Sequence, residues 1–387
     1  MPGNESIYDQ DGIRVLCGDT LDVLPTFDAD TLDAVITDPP YGLGFMGANW
    51  DHGVPGVPFW TAILRVLKPG AHVLAFGGTR TFHRLAVAIK DAGFELRDTI
   101  GWIYGSGFPK SLDVSKAIDA AAGADRPVIG EYQKGTAGME AGAGGAFSDD
   151  SFVWKSTIQV TAPATDAAKA WDGWGTGLKP AWEPIIVARK PLAGTVAENV
   201  LTHGTGVLNI RGSQIEGVPP SVPKPAFNSP TGTTCGMKTG TGRRGNLSQA
   251  TGRWPANLIH DGSDEAAAVF AGSSVRFFYC AKAGAAERWF FCRECGDAFE
   301  RTNRADHRHG RDGWEHLTIH PTQKPLALMK YLVGLTVKPG AVILDPFVGS
   351  GTTLIAAGAA GCSAVGIDLD ADHCRIAAGR LRLRLGL

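Results

Sequence analysis

No run of 18 apolar residues occurs in the chain, so no membrane-spanning helix is expected. The opening MPGNESIYDQDG is polar and acidic, unlike a secretory leader. Cysteine is sparse, with seven scattered over 387 residues. That odd number argues against a secreted disulfide framework and for a reducing, cytoplasmic setting. Neither sign of charge dominates: 37 Lys and Arg face 39 Asp and Glu, for a net charge of −2. A chain-wide field for polyanions is excluded, although a local basic patch would still serve a nucleic acid. There is no internal repeat. Hydrophobic residues make up 44% and charged residues 20%, which excludes global disorder. The length suggests two to three units at about 150 residues each.

Glycine is plentiful, at 51 residues, and it is unevenly spread. Residues 13–105 alternate strand-like and helix-like runs: strands over Ile13–Cys17, Ala34–Thr37, Ala71–Phe76 and Glu95–Tyr104, and helices over Phe59–Leu67 and Thr81–Ala92. Lys68-Pro69-Gly70 reads as a helix stop. Residues 316–387 repeat this grammar, with helices over Pro325–Thr336, Thr352–Ala360 and Ala371–Leu385 and strands over Val342–Leu344 and Ala364–Ile367. Such alternation predicts an α/β fold with a mostly parallel sheet. Between the halves, residues 111–177 are rich in Ala and Gly, and GTAGMEAGAGGAF reads as a mobile loop. Ala181–Lys190 reads as a strand returning to the core.

The strand ending at Asp345-Pro346-Phe347-Val348-Gly349-Ser350-Gly351 runs into a helix. Gly349 and Gly351 permit positive φ and close approach of a ligand to the backbone. The helix start beyond them offers free N–H groups to a phosphate or a carboxylate. No Lys follows the last Gly, so this is not a P-loop, and G-x-G-x-x-G is absent. Asp368 closes the next strand, where an acid commonly accepts hydrogen bonds from ribose hydroxyls. Loop and acid together read as a site for a nucleoside bearing an amino-acid group, with an ordinary strand–turn–helix as the alternative.

Asp38-Pro39-Pro40-Tyr41 ends a buried type of strand. Two prolines remove two N–H donors and fix φ. A rigid acceptor corner remains, formed by the Asp38 carboxylate and the Pro39 carbonyl, with the Tyr41 ring beside it. Such a corner suits a planar –NH₂ group on a nucleobase, whose lone pair is otherwise delocalised into the ring. Two acceptors drawing on its hydrogens direct that lone pair toward an electrophilic methyl. The base must leave the duplex to reach the corner.

These motifs, in this order, resemble DNA amino-methyltransferases that use S-adenosylmethionine, in the permuted β-class arrangement. The resemblance covers residues 13–110 and 316–387. It makes Asp38, Pro39, Pro40 and Tyr41 the catalytic motif and His320-Pro321-Thr322-Gln323-Lys324-Pro325 the segment leading to a helix over the cofactor. It likens Asp345–Thr353 to the methionine-binding loop, Asp368 to the ribose-binding acid and Asp19 to the acid that meets the cofactor adenine. The cofactor residues implied are therefore Asp19, Thr322, Lys324, Pro325, Asp345, Phe347, Gly349, Ser350, Gly351, Thr352 and Asp368. The implied fold is a Rossmann-like methyltransferase sheet with an inserted target recognition region. The implied activity is methylation of the adenine 6-amino group in double-stranded DNA, as in restriction–modification systems. Asp before Pro-Pro-Tyr leans toward adenine, and the cytosine 4-amino group is the alternative. A homodimer is left open.

The expected organisation is a catalytic half over 1–110, a flexible insertion over 111–177, a return strand over 178–192, a recognition region over 193–285, a zinc module over 286–315 and the cofactor half over 316–387. In residues 204–255, six cations (Arg211, Lys224, Lys238, Arg243, Arg244 and Arg253) face one acid, Glu216. Phosphate and base-edge contacts are expected there; a solvated loop is the plainer reading. Trp102 and Tyr104 read either as lining for a flipped base or as core. Cys292-x-x-Cys295 with His307-x-His309 has the content of a structural zinc site. His316 is a substitute ligand, and an incidental surface cluster is the alternative.

Overall fold

The computed structural model describes residues 5–43, 53–105, 107, 111–133, 157–216, 252–264, 278–280, 282–283, 287–300, 317–319 and 323–384. Ten strands form the central sheet: β1 (Glu5–Gln10), β2 (Ile13–Cys17), β3 (Leu32–Thr37), β4 (Leu67–Phe76), β5 (Glu95–Ile103), β6 (Trp182–Arg189), β7 (Leu258–His260), β8 (Phe278–Tyr279), β9 (Val342–Asp345) and β10 (Ser363–Asp368). Their order is β1-β2-β10-β9-β3-β4-β6-β5-β7-β8. Two strands run against the rest. β1 folds back on β2 at one edge, and β6 lies antiparallel between β4 and β5. The remaining neighbours are parallel.

Helices cover both faces, which is why the inner strands are buried almost throughout. On one face, Trp60, Ile63 and Val66 of the helix Val57–Val66 pack with Leu85 and Ile89 of the helix Phe82–Asp91. On the other, Leu328, Met329 and Leu332 of Leu326–Thr336 pack with Leu354 and Ile355 of Thr352–Ala359 and with Cys374, Ala377 and Leu381 of Ala371–Arg384. Among the described residues, no helix is long and apolar enough to cross a membrane.

Most elements fall where the sequence pattern places them, and the departures have local causes. β4 begins at Leu67 rather than Ala71. The first helix does stop before Lys68-Pro69-Gly70, but its cap Leu67 is already extended, with ψ of 141°. Gly70 takes φ of +80° and donates its N–H to the Lys190 carbonyl at 3.1 Å. The described part of 111–177 carries regular elements: the helices Val114–Ala121 and Asp166–Ala170 and the paired strands Val128–Gln133 and Thr157–Thr161. Asp119, fully buried, organises them. It accepts from Arg126, from the Ala164 and Thr165 backbone and from the Thr165 hydroxyl, at 2.6–3.0 Å. The glycine-rich stretch 135–147 and most of 204–255 lie outside the described residues.

A small antiparallel sheet joins Ala298–Glu300, Trp289–Cys292 and Leu317–Ile319. Alternation along it sends Trp289 and Phe291 against Ile376 of the last helix, while Phe290, Cys292 and Phe299 cluster with Cys295 on its other side.

Candidate active site

Parallel strands deliver their following loops to one edge of a sheet, where ligands of open α/β folds bind. Asp38 follows β3, Asp345 ends β9 and Asp368 ends β10, and these three strands are adjacent. The acceptor corner and the glycine loop therefore stand side by side. β6 runs in reverse, so its first residues reach the same edge. The carbonyl of Pro184 accepts from Gly77, just past β4, at 2.9 Å, and the Ala181 carbonyl accepts from Tyr104, just past β5, at 2.9 Å.

This reversal brings in Glu183, which the sequence did not single out. The Tyr41 hydroxyl lies 2.8 Å from Asp38 Oδ1 and 3.3 Å from Glu183 Oε2. The Tyr104 hydroxyl donates to Glu183 Oε1 at 3.2 Å. The Lys324 ammonium sits between the carboxylates, 2.6 Å from Asp38 Oδ2 and 3.3 Å from Glu183 Oε2, and 3.2 Å from the Tyr41 hydroxyl. The Phe76 ring lies 4.9 Å away and forms an apolar wall. Burial lifts the Asp38 carboxyl above the usual carboxylate range against the pull of Lys324, and Glu183 adds to the rise. Burial also works against the Lys324 charge, but the Asp38 and Glu183 carboxylates outweigh it and raise its pKa. Lys282 lies 3.5 Å over the Tyr104 ring. Trp102 is core: it is buried and donates its indole N–H to the Cys280 carbonyl at 3.2 Å.

The glycine loop is tied down from beneath. Asp345 accepts from Thr37 at 2.8 Å, from Thr353 at 2.5 Å and from the Phe347 backbone at 3.2 Å. Burial nevertheless pushes its pKa up to about 6. Asp368 Oδ2 accepts the Gly349 N–H at 2.9 Å, and Oδ1 accepts that of Asp370 at 2.9 Å. Burial opposes ionisation of Asp368, but His373 and these N–H groups outweigh it and lower the pKa. Gly349 and Gly351 take φ of +50° and +77°. Buried Arg380 donates to the Ser350 carbonyl and, at 3.0 Å, to the Thr352 hydroxyl. Phe347 stacks on Phe59, with centroids 5.0 Å apart. Asp19 caps the short helix Thr20–Val23, accepting from Leu21 at 2.8 Å, and the Thr20 hydroxyl holds the Pro346 carbonyl at 3.0 Å. Pro325 caps the helix Leu326–Thr336 and puts Lys324 at its mouth. Thr322 lies outside the described residues.

The structure brings Cys292 and Cys295 into one turn, where the Gly296 N–H donates to the Cys292 carbonyl at 2.9 Å. Cys292 is fully buried. His307, His309 and His316 lie outside the described residues, and among the described residues no group of three or more ligand-type side chains is assembled.

Two loop sites stand at neighbouring strand ends, one an acceptor corner and one a glycine cradle. A family model described as DNA methylase, of the N6 and N4 type, matches residues 32–379, and the chain belongs to that family. Over 62 residues the chain is 47% identical to the type II methyltransferase M2.DpnII of Streptococcus pneumoniae. It is 42% identical over 62 residues to the DNA adenine methyltransferase YhdJ of Escherichia coli strain K12. Each match covers 16% of this chain, and 23% and 21% of those relatives, so the chain matches under a quarter of their length. Among solved structures, the cytosine-N4-specific PvuII DNA methyltransferase gives a TM-score of 0.46 at 14% identity, over 98% of this chain and 89% of that one. M1.HpyAVI gives 0.42 at 14%, over 97% and 99%. The Thermus thermophilus protein TTHA0409, solved with S-adenosyl-L-methionine, gives 0.41 at 17%, over 96% and 94%.

Proposed function

We propose that the chain transfers a methyl group from S-adenosylmethionine to the 6-amino nitrogen of an adenine flipped out of double-stranded DNA. The observation that carries this reading is the adjacency of the Asp38–Tyr41 corner and the Asp345–Gly351 loop on strands β3 and β9. The loop region fits such a cofactor. Gly351 holds a left-handed conformation at a helix start, where N–H groups suit a carboxylate. Asp19, Asp368 and Asp345 supply carboxylates for a cationic, hydroxyl-rich ligand. Asp19, Pro325, Asp345, Phe347, Gly349, Ser350, Gly351, Thr352 and Asp368 are proposed to hold it, with Thr322 assigned from the sequence alone; the Lys324 ammonium, expected from the sequence to join them, lies instead against Asp38 and Glu183. Bound S-adenosylmethionine would supply an electrophilic methyl group.

The chain's own residues do the rest. Asp38 and the Pro39 carbonyl accept from the two amino hydrogens and aim the nitrogen lone pair. Tyr41 offers a ring face to the base. Asp38 must be ionised to take up the proton that the methylated nitrogen releases, and as a carboxylate it is also the stronger acceptor. No covalent intermediate is needed. Asp in front of Pro-Pro-Tyr and the adenine specificity named for the YhdJ relative support adenine. The basic stretch 204–255 is proposed to contact DNA, and Cys292 and Cys295 to share a structural zinc with His307 and His309. Asp38→Ala tests the reading. Methyl transfer should fall at least ~10²-fold, as for loss of one positioned hydrogen-bonding group, while calorimetric cofactor affinity stays within about threefold, on the order of half a kcal/mol. Wild-type turnover in Asp38→Ala would overturn it.

A further inference from the structure

Lys324 is where an incoming amino group would have to go. Its ammonium lies 2.6 Å from Asp38 Oδ2, and the Tyr41 hydroxyl engages Oδ1 at 2.8 Å. An ammonium left there would also oppose the reaction. The amino nitrogen gains positive charge as it takes the methyl group, and Asp38 stabilises that charge only while its own charge is not already matched by a cation. The side chain has somewhere else to go. Glu183 Oε2 is already 3.3 Å from Nζ, so a small rotation exchanges one carboxylate for the other without exposing the cation. Glu183 is in turn held by the Tyr104 hydroxyl on its far oxygen and shares the Tyr41 hydroxyl with Asp38.

We infer that Glu183 is a positioning residue for methyl transfer: it takes over the Lys324 ammonium when the amino group arrives, freeing Asp38 Oδ2 while keeping the buried cation paired. The inference rests on the reading of Asp38–Tyr41 as the amine site. It assigns β6 a function beyond packing. It also gives Lys324 two stations, the first on Asp38 before the base enters and the second on Glu183 afterwards. Asp38 is faced by Lys324, Tyr41, Glu183 and, more distantly, Asp345. Glu183 is faced by Lys324, Tyr41, Tyr104 and the Lys282 charge.

Single-turnover methyl transfer into unmethylated bacterial genomic DNA, followed across pH with the full chain, tests it. The acid limb of such a profile reports a group that must be ionised, here Asp38. Glu183→Gln leaves Lys324 with Asp38 alone, so the plateau rate should fall on the order of 10- to 100-fold. The acid limb should move to lower pH, because a carboxylate that raises Asp38 is gone and the cation is held on Asp38. Glu183→Asp, which keeps the charge, should restore the limb. Lys324→Met should move the limb to higher pH, and adding Glu183→Gln to it should cost little more, since Glu183 acts through Lys324. A wild-type rate and limb in Glu183→Gln would overturn the inference, as would a fall in rate with an unmoved limb, which is what a packing defect gives. If Glu183→Gln does not fold, Lys324→Met is compared with Lys324→Met/Glu183→Gln, where no cation is left unpaired, and a large further loss of rate in the double variant is equally fatal. An active Asp38→Ala would instead defeat the amine-site reading; an inactive one with an indifferent Glu183→Gln defeats only the role given to Glu183.

Discussion

Gly351→Ala probes the loop with the smallest possible addition. Gly351 caps the helix Thr352–Ala359 with φ of +77° and ψ of 17°. A Cβ there would stand 2.8 Å from Ala377 Cβ and 3.1 Å from Ala377 Cα on the last helix. The left-handed conformation costs an L-residue about 1–2 kcal/mol, and overpacking a filled site costs about 1–3 kcal/mol more. A total of about 2–5 kcal/mol follows. It should appear as a lower urea midpoint in tryptophan fluorescence. Where the loop shifts to escape the contact, S-adenosylmethionine affinity should also fall, by roughly tenfold for each 1.4 kcal/mol. The two contributions separate in a double mutant. Ala377→Gly removes the Cβ contact at a helix-propensity cost of about 1 kcal/mol and leaves the φ penalty untouched. Gly351→Ala with Ala377→Gly should therefore be less destabilised than the sum of the single variants, by about 1–2 kcal/mol, within the usual range for residues in contact. Strict additivity, or an unchanged midpoint in Gly351→Ala, would refute the account of the loop.

Asp345→Asn should stabilise the ligand-free protein at neutral pH. The Asp345 pKa of about 6 lies above its unfolded value, so the folded state binds the extra proton. This residue's contribution to stability is greatest below about pH 4 and declines as pH rises to 6; above that it is a cost of about 3 kcal/mol. Asn removes the cost but accepts poorly from both Thr37 and Thr353, which returns about 1 kcal/mol. A melting-temperature advantage above pH 6 that disappears near pH 4 is expected, and no advantage at pH 8 would contradict the burial argument. For the cysteine turn, metal-replete protein should contain one zinc per chain, lost in Cys292→Ser, and chelation should loosen the Trp289–Glu300 hairpin before the central sheet; well under one zinc by elemental analysis would make the pair incidental.

The parts legible in the sequence were those whose chemistry sits in one contiguous stretch at the end of a parallel strand. Asp38-Pro39-Pro40-Tyr41 and the Asp345–Gly351 loop are of that kind, and short apolar runs place β2, β3, β9 and β10 to within one or two residues at each end. Glu183 was illegible for a topological reason. It lies at the start of a strand, and only because β6 runs antiparallel does that start meet the ends of β4 and β5. Lys324 stands in a legible segment, but nothing local announces that its ammonium reaches across 286 residues of sequence to Asp38. Asp368 reads from the sequence as a ribose acceptor; in the fold its two oxygens accept from the Gly349 and Asp370 backbones. β1 carries no apolar run because an edge strand buries little: only Tyr8 of its six residues is buried.

The chain is proposed to methylate an exocyclic amino nitrogen of a base, with Asp38 directing it. Unmethylated DNA incubated with the protein and S-adenosylmethionine bearing a deuterated methyl group, then digested to nucleosides and weighed by mass spectrometry, tests this most directly. Labelled N6-methyladenine is the expected product, at least ~10²-fold reduced with Asp38→Ala. Label on the cytosine 4-amino group would move the substrate assignment from adenine to cytosine. Label on a ring carbon, or equal N6-methyladenine from Asp38→Ala, would contradict the account.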